Sequence, residues 1–181
     1  MSFDKFYYKL DAPYIHLDKL KEYVSTASFS YRDHQNKIDF LPEQFKDDPF
    51  INAVKSKFGG TMFVFSHWPN MFYKWHTDGW AACNINMLLD TYDSKTLFKI
   101  DSPNNEVINF KELKYEPNKW FLFNAQEPHC VMNFDNRNRL LLQWTIWKKG
   151  NEHLTNIYES VLNWYKNEYL NYEQTTIQPK H

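Results

Sequence analysis

Glycine is scarce. The 181-residue chain holds 4, where ordinary usage of about 7% would supply about 13. Only Gly59 and Gly60 adjoin, and no GxGxxG or GxxxxGK[ST] run occurs, so the nucleotide-binding loop classes are excluded. Two cysteines, Cys83 and Cys130, make no disulfide framework and point to a reducing setting. Long apolar runs are missing too: the stretch from Thr61 to Tyr73 is broken by Ser66, His67, Pro69 and Asn70, too short and too polar to span a bilayer. Met1-Ser2-Phe3-Asp4-Lys5 shows no basic region leading into an apolar one, so no signal peptide is expected, and a cytoplasmic location is. Arginine is the other shortage, 3 residues where Lys and Arg together number 21. Where those three sit is therefore informative.

What is abundant is aromatic: 15 Phe, 12 Tyr and 7 Trp. Hydrophobic residues make up 43% and charged residues 24%, a globular composition long enough to bury a core unaided. A net charge of −1 and a pI of about 6.6 carry none of the basic footprint of a nucleic-acid binder. The length suits one domain, residues 1–181.

Phe6, Tyr8 and Leu10 suggest an early extended segment. Asp18 reads as the N-cap of a helix over Lys19–Thr26, and Asp48-Pro49 opens a second helix that Gly59-Gly60 ends. Between them, Phe29–Tyr31 and Ile38–Phe40 read as short strands around a polar turn, His34-Gln35-Asn36-Lys37. From about residue 61 to 147 the texture changes to short β-rich runs separated by Pro, Asn, Asp and Ser clusters, including separate strands at Glu106–Phe110 and Leu113–Tyr115. Such spacing argues for a sandwich or barrel. After Gly150, Leu154, Ile157, Tyr158, Val161, Leu162, Tyr165 and Tyr169 recur at helical spacing, which predicts a helix over about 152–170 packing outside the β core. Residues 174–181 read as a frayed polar tail.

Among seven histidines, two open a His-x-Asp triplet. About one such triplet is expected by chance, so context must separate them. His16-Leu17-Asp18 precedes a helix, where Asp18 has sufficient work as a cap. His76-Thr77-Asp78 lies between strands, where alternate residues project to one side and offer an imidazole and a carboxylate to a single point. A second imidazole would complete a 2-His-1-carboxylate triad, which leaves open positions on non-heme Fe(II). The competing reading of Asp78-Gly79 is a plain hairpin turn. His129 begins the strand His129–Asn133, and Arg139 opens the apolar run Leu140-Leu141-Leu142. A charge rarely begins such a run without a partner, and its planar fork suits a carboxylate. Arg137, in the turn Asp135–Asn138, reads as a surface ion pair. Cys83 and Cys130 read as small buried residues that could neighbour each other across paired strands.

The order His76-x-Asp78, then His129, then Arg139 resembles the 2-oxoglutarate/Fe(II)-dependent oxygenases. The texture from Trp75 to Leu89, and from Phe121 through Pro128-His129 to Trp144, is similar to the aspartyl/asparaginyl β-hydroxylase-like branch, with the prolyl-hydroxylase-like branch second. Some members of the first branch lack the metal carboxylate that Asp78 supplies here, and members of the second often carry Lys in place of the Arg. The resemblance covers about residues 61–147. It implies a mainly β fold with flanking helices around a double-stranded β-helix, that is, a jelly-roll or cupin-like core.

It also implies a hydroxylase that consumes 2-oxoglutarate and O2 and releases succinate and CO2. His76, Asp78 and His129 would hold Fe(II), and Arg139 would bind the distal carboxylate of 2-oxoglutarate, helped by Ser66, Asn84 or Asn86. A wet outer strand face is the competing reading for the two asparagines. Phe72, Trp75, Trp80 and Trp144 are expected as walls that exclude water. Trp80, His67 and Arg137 are candidates for contact with the substrate, a peptide or protein side chain or a small molecule. Two other readings stay open: a cupin-like metal protein that uses no 2-oxoglutarate, and a non-catalytic jelly-roll in which the triad is accidental. No nucleic-acid or membrane partner is expected; substrate identity and oligomeric state are not legible.

Overall fold

The computed structural model describes residues 5–32, 35–38, 41–100, 109–147 and 155–171. Eleven described strands form two antiparallel sheets. They are β1 (Tyr7–Leu10), β2 (Ser30–Arg32), β3 (Gln35–Ile38), β4 (Thr61–His67), β5 (Met71–His76), β6 (Ala81–Leu88), β7 (Ser94–Ile100), β8 (Asn109–Leu113), β9 (Trp120–Phe123), β10 (His129–Asn133) and β11 (Arg139–Trp147). The larger sheet runs β1-β9-β6-β11-β4-β3-β2 and the smaller β5-β10-β7-β8. From β4 to β11 the chain thus passes back and forth between the two sheets, except at the β7–β8 hairpin within the smaller one, in the manner of a double-stranded β-helix, and the fold is mainly β with this core.

Helices α1 (Leu17–Thr26), α2 (Pro49–Phe58) and α3 (Thr155–Trp164) cover the outer face of the larger sheet, and α3 continues through a wider π-type turn over Tyr165–Tyr169. The larger sheet is consequently buried on both faces, and every residue of β6 is buried. Strand alternation divides it cleanly. Met62 and Val64 of β4, Ile85 and Met87 of β6, Trp120 and Leu122 of β9, and Leu142 and Trp144 of β11 meet the helices in one apolar cluster. The alternate residues face the smaller sheet. Full burial of side chains of this size is worth about 1.5–3 kcal/mol each, so this cluster is the main anchor of the fold.

Local chemistry explains α2. Asp48 is fully buried and its Oδ1 accepts from the backbone N–H of Phe50 (3.0 Å) and Ile51 (3.1 Å), Pro49 follows, and Gly59 ends the helix at φ 72°. Gly60, at φ 120°, has no room for a side chain: a β-carbon there would collide with the indole of Trp144 and the Thr145 carbonyl.

Several expectations shift. Helix α1 begins at Leu17, so Asp18 sits inside the first turn and no side chain caps that end. Residues Gln35–Lys37, expected as turn, join Ile38, expected as strand, in one strand that pairs with both β2 and β4 and extends the larger sheet. His34 lies outside the described residues, as do the expected strand residues 39–40 and 106–108, His153 and the 174–181 tail. Tyr115 lies beyond the end of β8 rather than in a strand of its own. Cys83 lies in β6 and Cys130 in β10, in different sheets, so they are not cross-strand neighbours.

Candidate active site

A cavity of about 260 Å³ opens between the two sheets. Antiparallel pairing of β10 with β5 places His129 opposite His76. Asp78, just past β5, is held by its backbone: its N–H donates to the Ala125 carbonyl (2.9 Å), and Gln126 Nε2 donates to the Asp78 carbonyl (2.9 Å). Asp78 Oδ1 lies 3.5 Å from His76 Nε2 and 3.7 Å from His129 Nε2. One ligand atom from each of the three residues falls within 4.8 Å of the others, a group that could hold a metal ion.

The surroundings orient these side chains. Nδ1 of His76 lies 2.8 Å from the Lys74 carbonyl and Nδ1 of His129 lies 2.9 Å from the Glu127 carbonyl. A carbonyl only accepts, so both rings carry the proton on Nδ1 and turn the Nε2 lone pair toward Asp78, the arrangement that outer partners impose on metal-binding histidines. Asn84 Nδ2 donates to Asp78 Oδ2 at 2.9 Å and leaves Oδ1 to face the other two. Burial alone would raise the Asp78 pKa; the two imidazoles beside it and the Asn84 amide together outweigh that and hold it below the usual carboxylate value. His129 is pushed down by burial against the opposing pull of Asp78, which favours the neutral imidazole. Two imidazoles and a carboxylate, packed on Phe123 (ring centroids 4.8 Å from His129), fit a borderline divalent ion with open positions.

At the far end of the cavity lies Arg139, 1% exposed. Its Nε donates to Ser94 Oγ (3.2 Å), Nη1 to His67 Nδ1 (3.2 Å) and Nη2 to Thr96 Oγ1 (3.4 Å), and its guanidinium carbon sits 5.5 Å from the centre of the Tyr115 ring. All of these are neutral groups. No carboxylate among the described residues pairs with it, and burial draws its pKa below the usual arginine value. His67, also buried, is driven down to about 3 by burial, the Arg139 charge and His76, and stays neutral.

Asn84 and Asn86 both line the cavity, and the Oδ1 of each is buried without a partner among the described residues. Asn86 Nδ2 donates to the Tyr115 hydroxyl at 3.2 Å. Ser66 does not join them. Its neighbours Phe65 and His67 line the cavity, so alternation turns Ser66 to the opposite face, where its hydroxyl is buried. Arg137 is likewise elsewhere: it is exposed, ion-paired to Asp135 (3.1 Å) and Asp90 (3.2 Å), and lies over Tyr92. Of the four expected aromatic walls only Trp80 lines the cavity, at its mouth and 82% exposed. Trp144 faces the helices, and Phe72 and Trp75 point outward. The walls are instead Phe63, Phe65, Tyr73, Tyr115, Phe123 and Trp147. Sequence reasoning missed Ser94, Thr96 and Tyr115; the alternation Ser94, Thr96, Phe98 in β7, with Phe98 buried inward, was the available signal.

No protein-family model matches the chain, and no curated protein matches it in sequence. Its fold, however, is shared with solved structures. A 2OG-Fe(II) oxygenase family oxidoreductase from Burkholderia pseudomallei superposes with a TM-score of 0.54 at 12% identity, covering 77% of this chain and 82% of that one. HygX from Streptomyces hygroscopicus, solved with nickel, 2-oxoglutarate and hygromycin B, gives 0.56 at 8% identity over 79% and 83%. A Pseudomonas putida prolyl-4-hydroxylase gives 0.51 at 12% identity over 79% and 93%. At these identities the likeness is one of fold. No helix among the described residues is long and apolar enough to cross a membrane.

Proposed function

We propose that this protein is an Fe(II)- and 2-oxoglutarate-dependent oxygenase that hydroxylates a peptide, protein or small-molecule substrate and releases succinate and CO2. The observation that carries the reading is Arg139: a buried guanidinium, without a carboxylate partner among the described residues, in the same cavity as the His76-Asp78-His129 cluster. Stranding a buried charge by removing its partner costs about 3–5 kcal/mol, so such a residue calls for an anion from outside. A metal protein of this fold that used no dicarboxylate would have no need of it.

In this reading His76, Asp78 and His129 hold the metal, their Nε2 and Oδ1 atoms already converging. Bound iron with O2 and 2-oxoglutarate supplies the oxidising power that side chains lack. The chain's own residues do the rest. Arg139, steadied by Ser94 and Thr96, binds the distal carboxylate and sets the co-substrate's reach toward the metal. Asn84 donates to Asp78 Oδ2 and so orients the carboxylate that would serve the metal. Phe123, packed on His129, and Phe63, Phe65 and Trp147 all project into the cavity from the larger sheet, and together they limit water.

The test is anaerobic titration with Fe(II) and 2-oxoglutarate. A weak visible charge-transfer band is expected in the wild type and not in His76→Ala, with succinate formed once oxygen is admitted. A wild type that shows neither band nor 2-oxoglutarate binding overturns the reading.

A further inference from the structure

The turn over residues 124–127 meets two of the three candidate metal ligands. The Ala125 carbonyl accepts from the Asp78 N–H, and the Glu127 carbonyl faces His129 Nδ1. Between them Gln126, half-buried, reaches across to the loop over residues 78–81. Its Nε2 donates to the Asp78 carbonyl at 2.9 Å and also to the Ala81 carbonyl, where β6 begins. Both partners only accept, so the amide nitrogen faces the loop and each of its two N–H groups has one carbonyl. The turn is itself fixed. Asn124 Oδ1 accepts from the Gln126 N–H (3.2 Å), and Asn124 donates from its side chain to the Lys5 carbonyl (2.9 Å) and from its backbone to the Phe6 carbonyl (2.9 Å). Within the loop, nothing packs where a β-carbon on Gly79 would stand, and Trp80 is exposed. Packing therefore does little for the middle of the loop, which depends on the hydrogen bonds at its ends.

We propose that Gln126 is a positioning residue for the metal carboxylate: its amide cross-links the two ends of the 78–81 loop and so fixes where Asp78 Oδ1 meets the imidazoles of His76 and His129. This rests on the metal site of the oxygenase reading above and adds a residue to it. Asp78 lies beyond the end of β5, so its side-chain direction follows its own peptide planes. Ala125 holds those planes from the N–H side and Gln126 from the carbonyl side. Asn84 then fixes the carboxylate through Oδ2. Backbone and side chain of one ligand are thus held separately, by the turn after β9 and by β6. A primary amide suits the task because it offers two donors on one atom; a carboxylate of the same length would turn only acceptors toward two carbonyls.

The experiment is a double-mutant cycle on Ni(II) affinity, read by calorimetry without oxygen or co-substrate. Imidazole suits Ni(II), so His76 and His129 retain it, more weakly, when the carboxylate is removed. Asp78→Ala therefore closes the cycle, and it keeps the carbonyl that Gln126 holds. The other proteins are wild type, Gln126→Met and the double variant; methionine matches the length of glutamine and has no donor. Gln126→Met is expected to weaken Ni(II) by about 10- to 100-fold when Asp78 is present, and by no more than about twofold when alanine replaces it. A residue that only supports the scaffold would weaken both alike. Equal losses in the two backgrounds thus overturn the proposal, as does an unchanged affinity in Gln126→Met. Melting temperature shows whether each variant is folded. If Gln126→Met does not fold, Gln126→Asn decides through the same cycle, its amide being one methylene short of bridging both carbonyls. A loss confined to the Asp78 background supports the proposal, and equal losses or none overturn it. A wild type that holds Ni(II) yet fails to bind 2-oxoglutarate in a parallel titration overturns the oxygenase reading and leaves the cycle readable. A wild type that holds no Ni(II) removes the metal site and this proposal together.

Discussion

Replacing Arg139 by methionine should separate stability from binding, with opposite signs. In the protein without co-substrate the guanidinium is 1% exposed and meets only neutral partners, at 3.2, 3.2 and 3.4 Å. An uncompensated buried charge costs about 3–5 kcal/mol, and hydrogen bonds to a charged group return about 1.5–3 kcal/mol each when well formed. Contacts this long sit at the low end of that range, so the net contribution of the charge is near zero or unfavourable. Methionine retains much of the packing of the arginine stem and carries no charge, and the freed Ser94 and Thr96 hydroxyls can turn to other acceptors or to water in the cavity. The variant should therefore be as stable as the wild type or up to about 2 kcal/mol more stable, a rise of up to about 8 °C in Tm for a chain of this size. Saturating 2-oxoglutarate should reverse the order. At 100 times its Kd, a ligand stabilises the protein that binds it by about 2.7 kcal/mol, and the variant forfeits this. Thermal melts of both proteins loaded with Mn(II), with and without 2-oxoglutarate, read the crossing directly. A variant more than about 2 kcal/mol less stable without ligand would refute the reasoning, since Arg139 would then be a structural ion already satisfied by its neutral neighbours.

Three further outcomes are expected. Asn84→Ala should lower metal affinity by about 10- to 100-fold, because Asp78 loses the amide that holds its Oδ2; competition against a chromogenic chelator measures it, and an unchanged affinity would deny Asn84 that part. Asp48→Ala should cost at least the ~1–2 kcal/mol of a lost N-cap, since the carboxylate is fully buried and also accepts from the Ile15 N–H, and urea unfolding will show it. The third concerns acid. His67 has its folded pKa lowered to about 3 from the ordinary histidine value. The unfolded chain therefore gains a proton that the folded one refuses, and stability present above about pH 6.5 is lost as the pH falls toward 3, by at most about 1.4 kcal/mol per pH unit. Denaturation curves of wild type and His67→Gln between pH 7 and 4 should diverge, with the variant flatter; parallel curves would mean that the ring protonates in place.

How much could be read ahead of the structure depended on how local each feature is. Helix α2 was legible at both ends because its signals are neighbours in sequence: Asp48 and Pro49 at one, Gly59 at the other. Helix α1 was less so, since its first turn has no side-chain cap and Asp18 drew attention two residues late. The hairpin of β2 and β3 was misplaced because polar residues such as Gln35 and Asn36 read as turn, although their backbones serve as rungs on the edge of the larger sheet. At the site, the His-x-Asp spacing, the later histidine and the scarce arginine were visible as a pattern, and the structure gathers those four side chains in one cavity. The assistants of Arg139 were not. Ser94 and Thr96 come from β7 in the other sheet, 43 residues or more away in sequence.

By itself, then, the sequence determined the chemistry on offer: few glycines and so no phosphate loop, a β-rich middle flanked by helices, two imidazoles and a carboxylate in the right order, and one arginine placed where a charge is out of character. Only the tertiary structure decided which face each residue takes and what it meets. Ser66, Asn84 and Asn86 are equally plausible as polar residues on apolar strands, yet alternation on a sheet buried from both sides sends the first toward the helices and the other two into the cavity. That Arg139 has no carboxylate partner among the described residues is a property of its surroundings, set by strands from both sheets, and a one-dimensional pattern contains no information about what a side chain fails to meet.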